Sequence, residues 1–468
     1  MEQLDSNKYK FTEYKGDDCP KYMPKEGILG SLKAEYPIHV FTEFGNLKAC
    51  FVGYMSDTAC VPSDQSTYQG KHFNSGPYPK EIIKKDQEIQ HDLAVKLQAR
   101  GIHVVRPGEV DFSKKNSVQG YESTGFHAFN PRDLNLYYHD SVYEFPSFQV
   151  SRQYENEVYN YLNYQHREMG GKWFKSFTGL YPFYEKFRQN QGYTGDEKID
   201  PNFPYCDSAN LVRLGLDILY LISESGNMLS YYMFRNFLEK RYNNKVRVHP
   251  IVDVNKSVHV DTTISVIGYN EKLGKYVAAY NKKYNNPLTI PVIFRGKNWI
   301  LLEGCDLEHF ECVDGYGICN PEELGMNFFT VNSNTIVIEE RQTKMIQYLS
   351  HYGIECIAHP NPYGRESAGA FHCMTNDYYR EESIDYKSIL ETTDNSKLTK
   401  KDLAGLFDED LLEELTNSGV DIVDWCKYCN DKGIFAQYLT DHLNEEEAKS
   451  LKKRTEDIIA NYNLSKKQ

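Results

Sequence analysis

The sequence has no long hydrophobic run. Its most apolar stretch, Leu214-Gly215-Leu216-Asp217-Ile218-Leu219-Tyr220-Leu221-Ile222, is short and carries an aspartate, well below the roughly 18 residues a helix needs to cross a bilayer. Basic charge is also in deficit: 53 Lys and Arg stand against 66 Asp and Glu, a formal net charge of -13. Such a surface presents no field to phosphate backbones or anionic lipid, which speaks against nucleic-acid and membrane partners, while it suits a cationic small molecule. The opening residues Met1-Glu2-Gln3-Leu4-Asp5 lack both the basic start of a secretory signal and the arginines of a mitochondrial presequence. The expected location is therefore the cytosol.

A disulfide framework is missing as well. Eleven cysteines are an odd count scattered through a long chain, which points to reduced thiols. Cys426 and Cys429 form a C-x-x-C, but no second pair follows at zinc-ligand spacing and no strand-turn-helix redox context surrounds them. Two cysteines on one helix face is the simpler reading. Cys305, Cys312 and Cys319 recur at seven-residue intervals, match no metal template and read as structural.

What the chain does have is material for a sizeable core, with 468 residues of which 40% are hydrophobic. Residues 1–36 read as a polar lead-in, 37–385 as an α/β body and 386–468 as a Lys/Glu-rich helical appendage, with Asn444 and Glu447 in a capping arrangement before its last helix. Within the body, Leu47 to Tyr54 reads as a buried strand. Lys80 to Arg100 places Ile83, Ile89, Leu93 and Leu97 at helical spacing, stopped by Gly101 before the strand Ile102-His103-Val104-Val105. The same helix-stop-strand punctuation returns at Gln342 to Tyr352, Gly353 and Ile354 to Ala358. A looser copy covers Asn227 to Tyr242, Asn243-Asn244 and Lys245 to Pro250. Three such units suggest internal repetition, although any α/β protein reuses this punctuation. Gln189 to Pro204 reads as a surface loop.

Several residues could carry chemistry. Val258 to Ile264 alternates as a strand, which would put His259 and Asp261 on one face. A surface edge is the alternative for that pair. Cys373 follows the small residues Ser367, Ala368, Gly369 and Ala370, which let a backbone approach a ligand, yet a lone cysteine is by default an inert core residue. Asp133 and Asp207, each beside a turn, could equally be turn or cap residues.

Taken in order, the motifs resemble the glycine amidinotransferase family from about Phe41 to Asp377. The likeness runs through Ala59-Cys60-Val61-Pro62, Glu122-Ser123-Thr124-Gly125, Pro131-Arg132-Asp133, Gly171-Lys172-Trp173 and Asp207-Ser208-Ala209-Asn210 with Arg213 and Gly215. It continues through His259-Val260-Asp261-Thr262-Thr263 and Gly325-Met326-Asn327 to Gly369-Ala370-Phe371-His372-Cys373-Met374-Thr375. The resemblance implies a pentein-type α/β propeller of five pseudo-symmetric units. It also implies an amidino transfer from L-arginine to a primary amine, glycine first among the candidates, with no metal or organic cofactor. Cys373 becomes the nucleophile, His259 the general acid/base and Asp207 its orienting partner. Asp133 and Asp261 become the carboxylates that hold the guanidinium, in bidentate geometry.

The sequence departs from the family at three substrate-proximal places. Lys282 or Lys283 stands where relatives carry an arginine for the donor's carboxylate, His127 replaces a tyrosine, and Gly325 replaces a serine. These positions are the expected substrate-binding differences. A homodimer with small-molecule substrates completes the expectation. The competing readings are a guanidino-group hydrolase, in which water replaces the amine, and a non-catalytic binding protein on the same fold.

Overall fold

The computed structural model describes residues 33–382, apart from internal segments of which the longest is 176–203. Residues 1–32 of the lead-in, all of the Gln189–Pro204 loop except Pro204, Lys282, Cys305 and the 386–468 appendage with Cys426 and Cys429 lie outside the described residues.

Among the described residues, five three-stranded sheets share one plan. In each, two strands pair antiparallel, and a third strand, reached by a crossover, pairs parallel to the second. Four of the sheets are consecutive in the chain. They are Asn135–Tyr138, Ser141–Glu144 and Lys172–Lys175; Leu211–Leu214, Asp217–Leu221 and Arg247–Ile251; Ile264–Asn270, Lys275–Tyr280 and Trp299–Glu303; and Phe329–Asn332, Thr335–Glu339 and Glu355–His359. The fifth is assembled from both ends of the described chain. Its central strand Asn46–Val52 pairs antiparallel with Thr375–Glu381 and parallel with His103–Val105. Glu382 fastens this closure, accepting from the Phe41 and Thr42 amides at 3.0 and 3.2 Å.

The crossover helices end as their stop residues dictate. Helices Lys80–Gln98, Met228–Arg241 and Thr343–His351 are followed by Gly101 at φ +77°, by Asn243 and Asn244 at φ 53° and 58°, and by Gly353 at φ +80°. These left-handed residues release the chain from the helix and turn it into the parallel strand. Central strands such as Asp217–Leu221 and Thr335–Glu339 are buried along their whole length. That burial explains why they read as apolar runs without alternation.

The strand expected over Val258 to Ile264 begins later than the sequence suggests. His259 is extended, Val260–Thr262 form one 3-10 turn, and the strand starts at Ile264. Five such pre-strand segments recur. Asp133 closes the turn Pro131–Asp133, Asp207 precedes Ser208–Asn210, Asp261 sits inside Val260–Thr262, Asn327 precedes Phe329 by two residues, and Cys373 precedes Thr375 by two. Each sheet thus presents one polar or nucleophilic residue immediately before its first strand.

Beneath these turns lies a buried charge network. The Arg213 guanidinium donates to Glu43 Oε1 and Oε2 at 2.8 and 2.7 Å and to Asp377 Oδ1 at 2.8 Å. Arg132 and Arg380 reach the two Asp377 oxygens at 2.6 Å each, and Arg380 also donates to the Thr330 carbonyl at 2.8 Å. Because its members lie in strands of three of the five sheets, with Arg132 in the turn before a fourth, the network fixes how the sheets meet.

Candidate active site

Cys373 is buried at 2% exposure in a cavity it shares with Asp133, Arg152, His259, Asn327 and Gly369. Reactive atoms of Asp133, His259 and Cys373 lie within 4.8 Å of one another. The Cys373 Sγ–H faces Asp261 Oδ2 at 3.3 Å, and the Asn327 amide donates to Sγ at 3.1 Å. Burial first, then the charges of Asp261 and Asp133, push the thiol well above its usual range, and the Asn327 donor pulls only part of the way back. A thiolate freely available near neutral pH is therefore not what this pocket holds by itself.

His259 approaches Asp207 Oδ2 with Nε2 at 3.1 Å and Asp133 Oδ1 with Nδ1 at 3.7 Å. Burial opposes its charge, but Asp133, Asp207 and Asp261 overcome that penalty and raise it to about 9. It is an imidazolium at neutral pH, a donor able to protonate a departing amine. Asp207 precedes a 3-10 turn but makes no capping hydrogen bond, so the cap reading of the sequence gives way to the imidazole contact.

Asp133 and Asp261 each arrive with one oxygen already engaged. Arg152 donates to Asp133 Oδ2 at 2.7 Å, and His372 Nδ1 stands 2.7 Å from Asp261 Oδ2. Asp133 Oδ1, Asp207 Oδ1 and Asp261 Oδ1 are buried without a hydrogen-bond partner among the described residues. Buried carboxylate oxygens in that condition are costly. A cation carrying N–H donors would satisfy them, one oxygen at a time instead of in the bidentate manner expected. The Asp133, His259 and Cys373 donor set could also ligate a metal ion. Arg152, however, puts a fixed positive charge on the same carboxylate.

Three predicted substrate-binding residues stand further back. His127 is buried with its ring 3.6 Å from that of Phe126, which does line the cavity, and burial keeps the imidazole neutral. Gly325 is buried in the turn between Leu324 and Asn327, both of which line the cavity. Lys283 is exposed in a turn, its Nζ 5.7 Å over the Tyr284 ring.

Arg152, Glu155, His372 and Asn327 were not picked out as functional from the sequence. Arg152 and Glu155 are joined by a two-pronged contact, both prongs at 3.0 Å, and their i, i+3 spacing was the only available signal. His372 and Asn327 both fall inside quoted motifs but next to residues that attract more attention.

No protein-family model matches the chain. The inosamine-phosphate amidinotransferase 1 of Streptomyces griseus is 28% identical over 352 residues, 73% of this chain and 97% of that protein. The mitochondrial glycine amidinotransferase of Gallus gallus is 23% identical over 372 residues, 75% of this chain and 84% of that protein. The solved structure of an inosamine-phosphate amidinotransferase from Streptomyces griseus superposes with a TM-score of 0.67 at 26% identity, over 75% of this chain and 99% of that one. The chain is similar to amidinotransferases over about three quarters of its length. It shares the fold of that solved structure, a pentein fold. These relatives are named for different amines, inosamine-phosphate and glycine, and the amine is left to be read from the site itself.

Proposed function

We propose that the protein transfers the amidino group of L-arginine to a primary amine, glycine being the first candidate, through an S-amidino intermediate on Cys373. The observation that carries this reading is a set of buried carboxylate oxygens without a hydrogen-bond partner among the described residues, Asp133 Oδ1, Asp207 Oδ1 and Asp261 Oδ1, on residues that meet the Cys373 thiol or its neighbour His259. A guanidinium is a planar cation with N–H donors on every edge, so two separate carboxylates can each take an edge and turn its carbon toward sulfur.

The charge of the substrate supplies what the empty pocket lacks. A guanidinium beside Sγ favours the thiolate, the opposite of the effect of Asp261 and Asp133. The thiol gives up its proton, with Asp261 Oδ2 as the nearest acceptor at 3.3 Å, and the thiolate adds to the guanidinium carbon to give a neutral tetrahedral adduct. His259, as imidazolium, protonates the substituted nitrogen. The C–N bond breaks, ornithine leaves as a free amine and a cationic S-amidino group remains on Cys373. The acceptor then attacks as its free base, neutral His259 takes one of its protons, and the C–S bond breaks to restore the thiolate.

Five sheets of one plan, each delivering a residue to this centre, support a five-unit propeller surrounding the site. We extend the reading to a body spanning 37–385, a separate C-terminal appendage and a homodimer in the cytosol.

Intact-mass analysis after mixing with L-arginine tests the reading. Wild type should gain an amidino adduct that Cys373→Ser cannot form, with one ornithine released per adduct, and ornithine should be released over many turnovers only when an amine is present. Citrulline released without an amine would establish the hydrolase instead, and no adduct with any guanidino donor would remove the covalent mechanism.

A further inference from the structure

Asn327 occupies the one pre-strand position to which sequence reasoning assigned no role. It precedes its strand by two residues, as Asp133 and Cys373 precede theirs. It is 1% exposed and lines the cavity. Its main-chain N–H donates to the Leu324 carbonyl at 3.1 Å, and both side-chain groups meet the segment bearing the nucleophile. Oδ1 accepts from the backbone amides of Ala370 and Cys373 at 3.1 and 3.0 Å, the main-chain carbonyl accepts from the His372 amide at 3.1 Å, and Nδ2 donates to Cys373 Sγ at 3.1 Å.

The direction of the last bond follows from the first two. Backbone amides can only donate, so the atom facing Ala370 N and Cys373 N must be the oxygen, and the amide nitrogen is left facing sulfur. Around Sγ the other polar groups are Asp261 Oδ2 at 3.3 Å, with His372 behind it, Asp133, with Arg152 behind it, and the imidazolium of His259. Two of those are carboxylates that oppose a negative sulfur. Asn327 is a neutral donor already aimed at it.

We propose that Asn327 is a catalytic residue of this site, its side-chain amide holding the Cys373 sulfur as a thiolate before attack and again when the C–S bond breaks, while its carbonyl oxygen fixes the loop that aims the sulfur. This proposal rests on the reading of Cys373 as the nucleophile. A preorganised donor is most valuable where charge appears and disappears, and sulfur carries its negative charge only before attack and after product formation.

The test is the pH dependence of Cys373 alkylation by iodoacetamide, followed by peptide mass mapping, alongside single-turnover adduct formation from L-arginine. Asn327→Asp keeps an acceptor for the two backbone amides and replaces the N–H donor with a carboxylate. It should move the alkylation midpoint up by about one pH unit or more and slow adduct formation by roughly 10²-fold. Asn327→Ala, which removes both contacts without adding charge, should move the midpoint in the same direction and serves if the aspartate variant does not fold. Unshifted midpoints in a folded variant would overturn the proposal. A shifted midpoint in a protein that never forms the amidino adduct would uphold the thiolate contact and sink the transfer reaction, so the two failures are distinguishable.

Discussion

Arg152 donates to Asp133 Oδ2 at 2.7 Å and thereby leaves only Oδ1 of that carboxylate turned to the cavity. The guanidinium is itself held by both oxygens of Glu155, so the orientation of Asp133 is set by a buried pair and not by the substrate.

Arg152→Met should therefore act twice. Losing the guanidinium strands Glu155 and Asp133 as uncompensated buried carboxylates, at a cost of about 3–5 kcal/mol. It also frees Asp133 to rotate, so the KM for L-arginine should rise by about tenfold or more. Adding Glu155→Gln should return part of the stability without restoring KM. Unchanged melting and unchanged KM in the single variant would contradict this.

The pH behaviour follows from His259. Its imidazolium is stabilised to about 9 against an ordinary value of 6.5, so its contribution to stability is complete below 6.5 and is lost as pH climbs through about 9. The single-turnover rate at saturating L-arginine should fall over the upper part of that range, because the leaving amine then lacks its proton donor. Asp207→Asn removes one of the charges that sustain the imidazolium, and its alkaline limb should lie at lower pH. Coincident limbs in wild type and Asp207→Asn would disprove the assignment.

Gly369→Ala tests how closely the chain must approach at the nucleophile. A Cβ there would stand 2.5 Å from Asn130 Oδ1 and 2.9 Å from Cys373 Cβ, so either the sulfur or Asn130 must move. A shift of about 1 Å at the attacking atom can cost on the order of 10²-fold in rate. Single-turnover adduct formation should show that loss, with thermal stability reduced far less.

Arg213→Met addresses the network under the site. Glu43 and Asp377 would lose their shared guanidinium in a fully buried setting, and denaturant unfolding should report about 3–5 kcal/mol lost. A loss under about 1 kcal/mol would show that Arg132 and Arg380 suffice for those carboxylates.

Much of the secondary structure was legible because it is written in local terms. Gly101, Gly353 and the Asn243-Asn244 pair announce left-handed stops, and the helix and strand on either side of each follow where the periodicity puts them. His259 and Asp261 were less legible. Alternation suggested one straight strand, but Thr262 and Thr263 fold their hydroxyls back onto the carbonyls of His259 and Val260 at 2.8 Å each, and the chain turns before the strand begins.

The residue types that suit amidino transfer were likewise present in the sequence, and ordered resemblance brought Asp133, Asp207, His259, Asp261 and Cys373 together before any coordinates did. The sequence by itself determined the parts: reduced thiols, an acidic surface, helix stops, and a set of carboxylates with one histidine and one cysteine. Only the tertiary structure decided which oxygen of each carboxylate is spent on Arg152 or His372, that burial and two carboxylates push the thiol well above its usual range, and that Asn327 clamps the loop behind it. Those outcomes depend on burial and on contacts between residues as far apart as Asp133 and Arg152, Asp261 and His372, or Asn327 and Cys373. Electrostatic energies inside a protein are set by distance and desolvation, which a linear sequence does not contain.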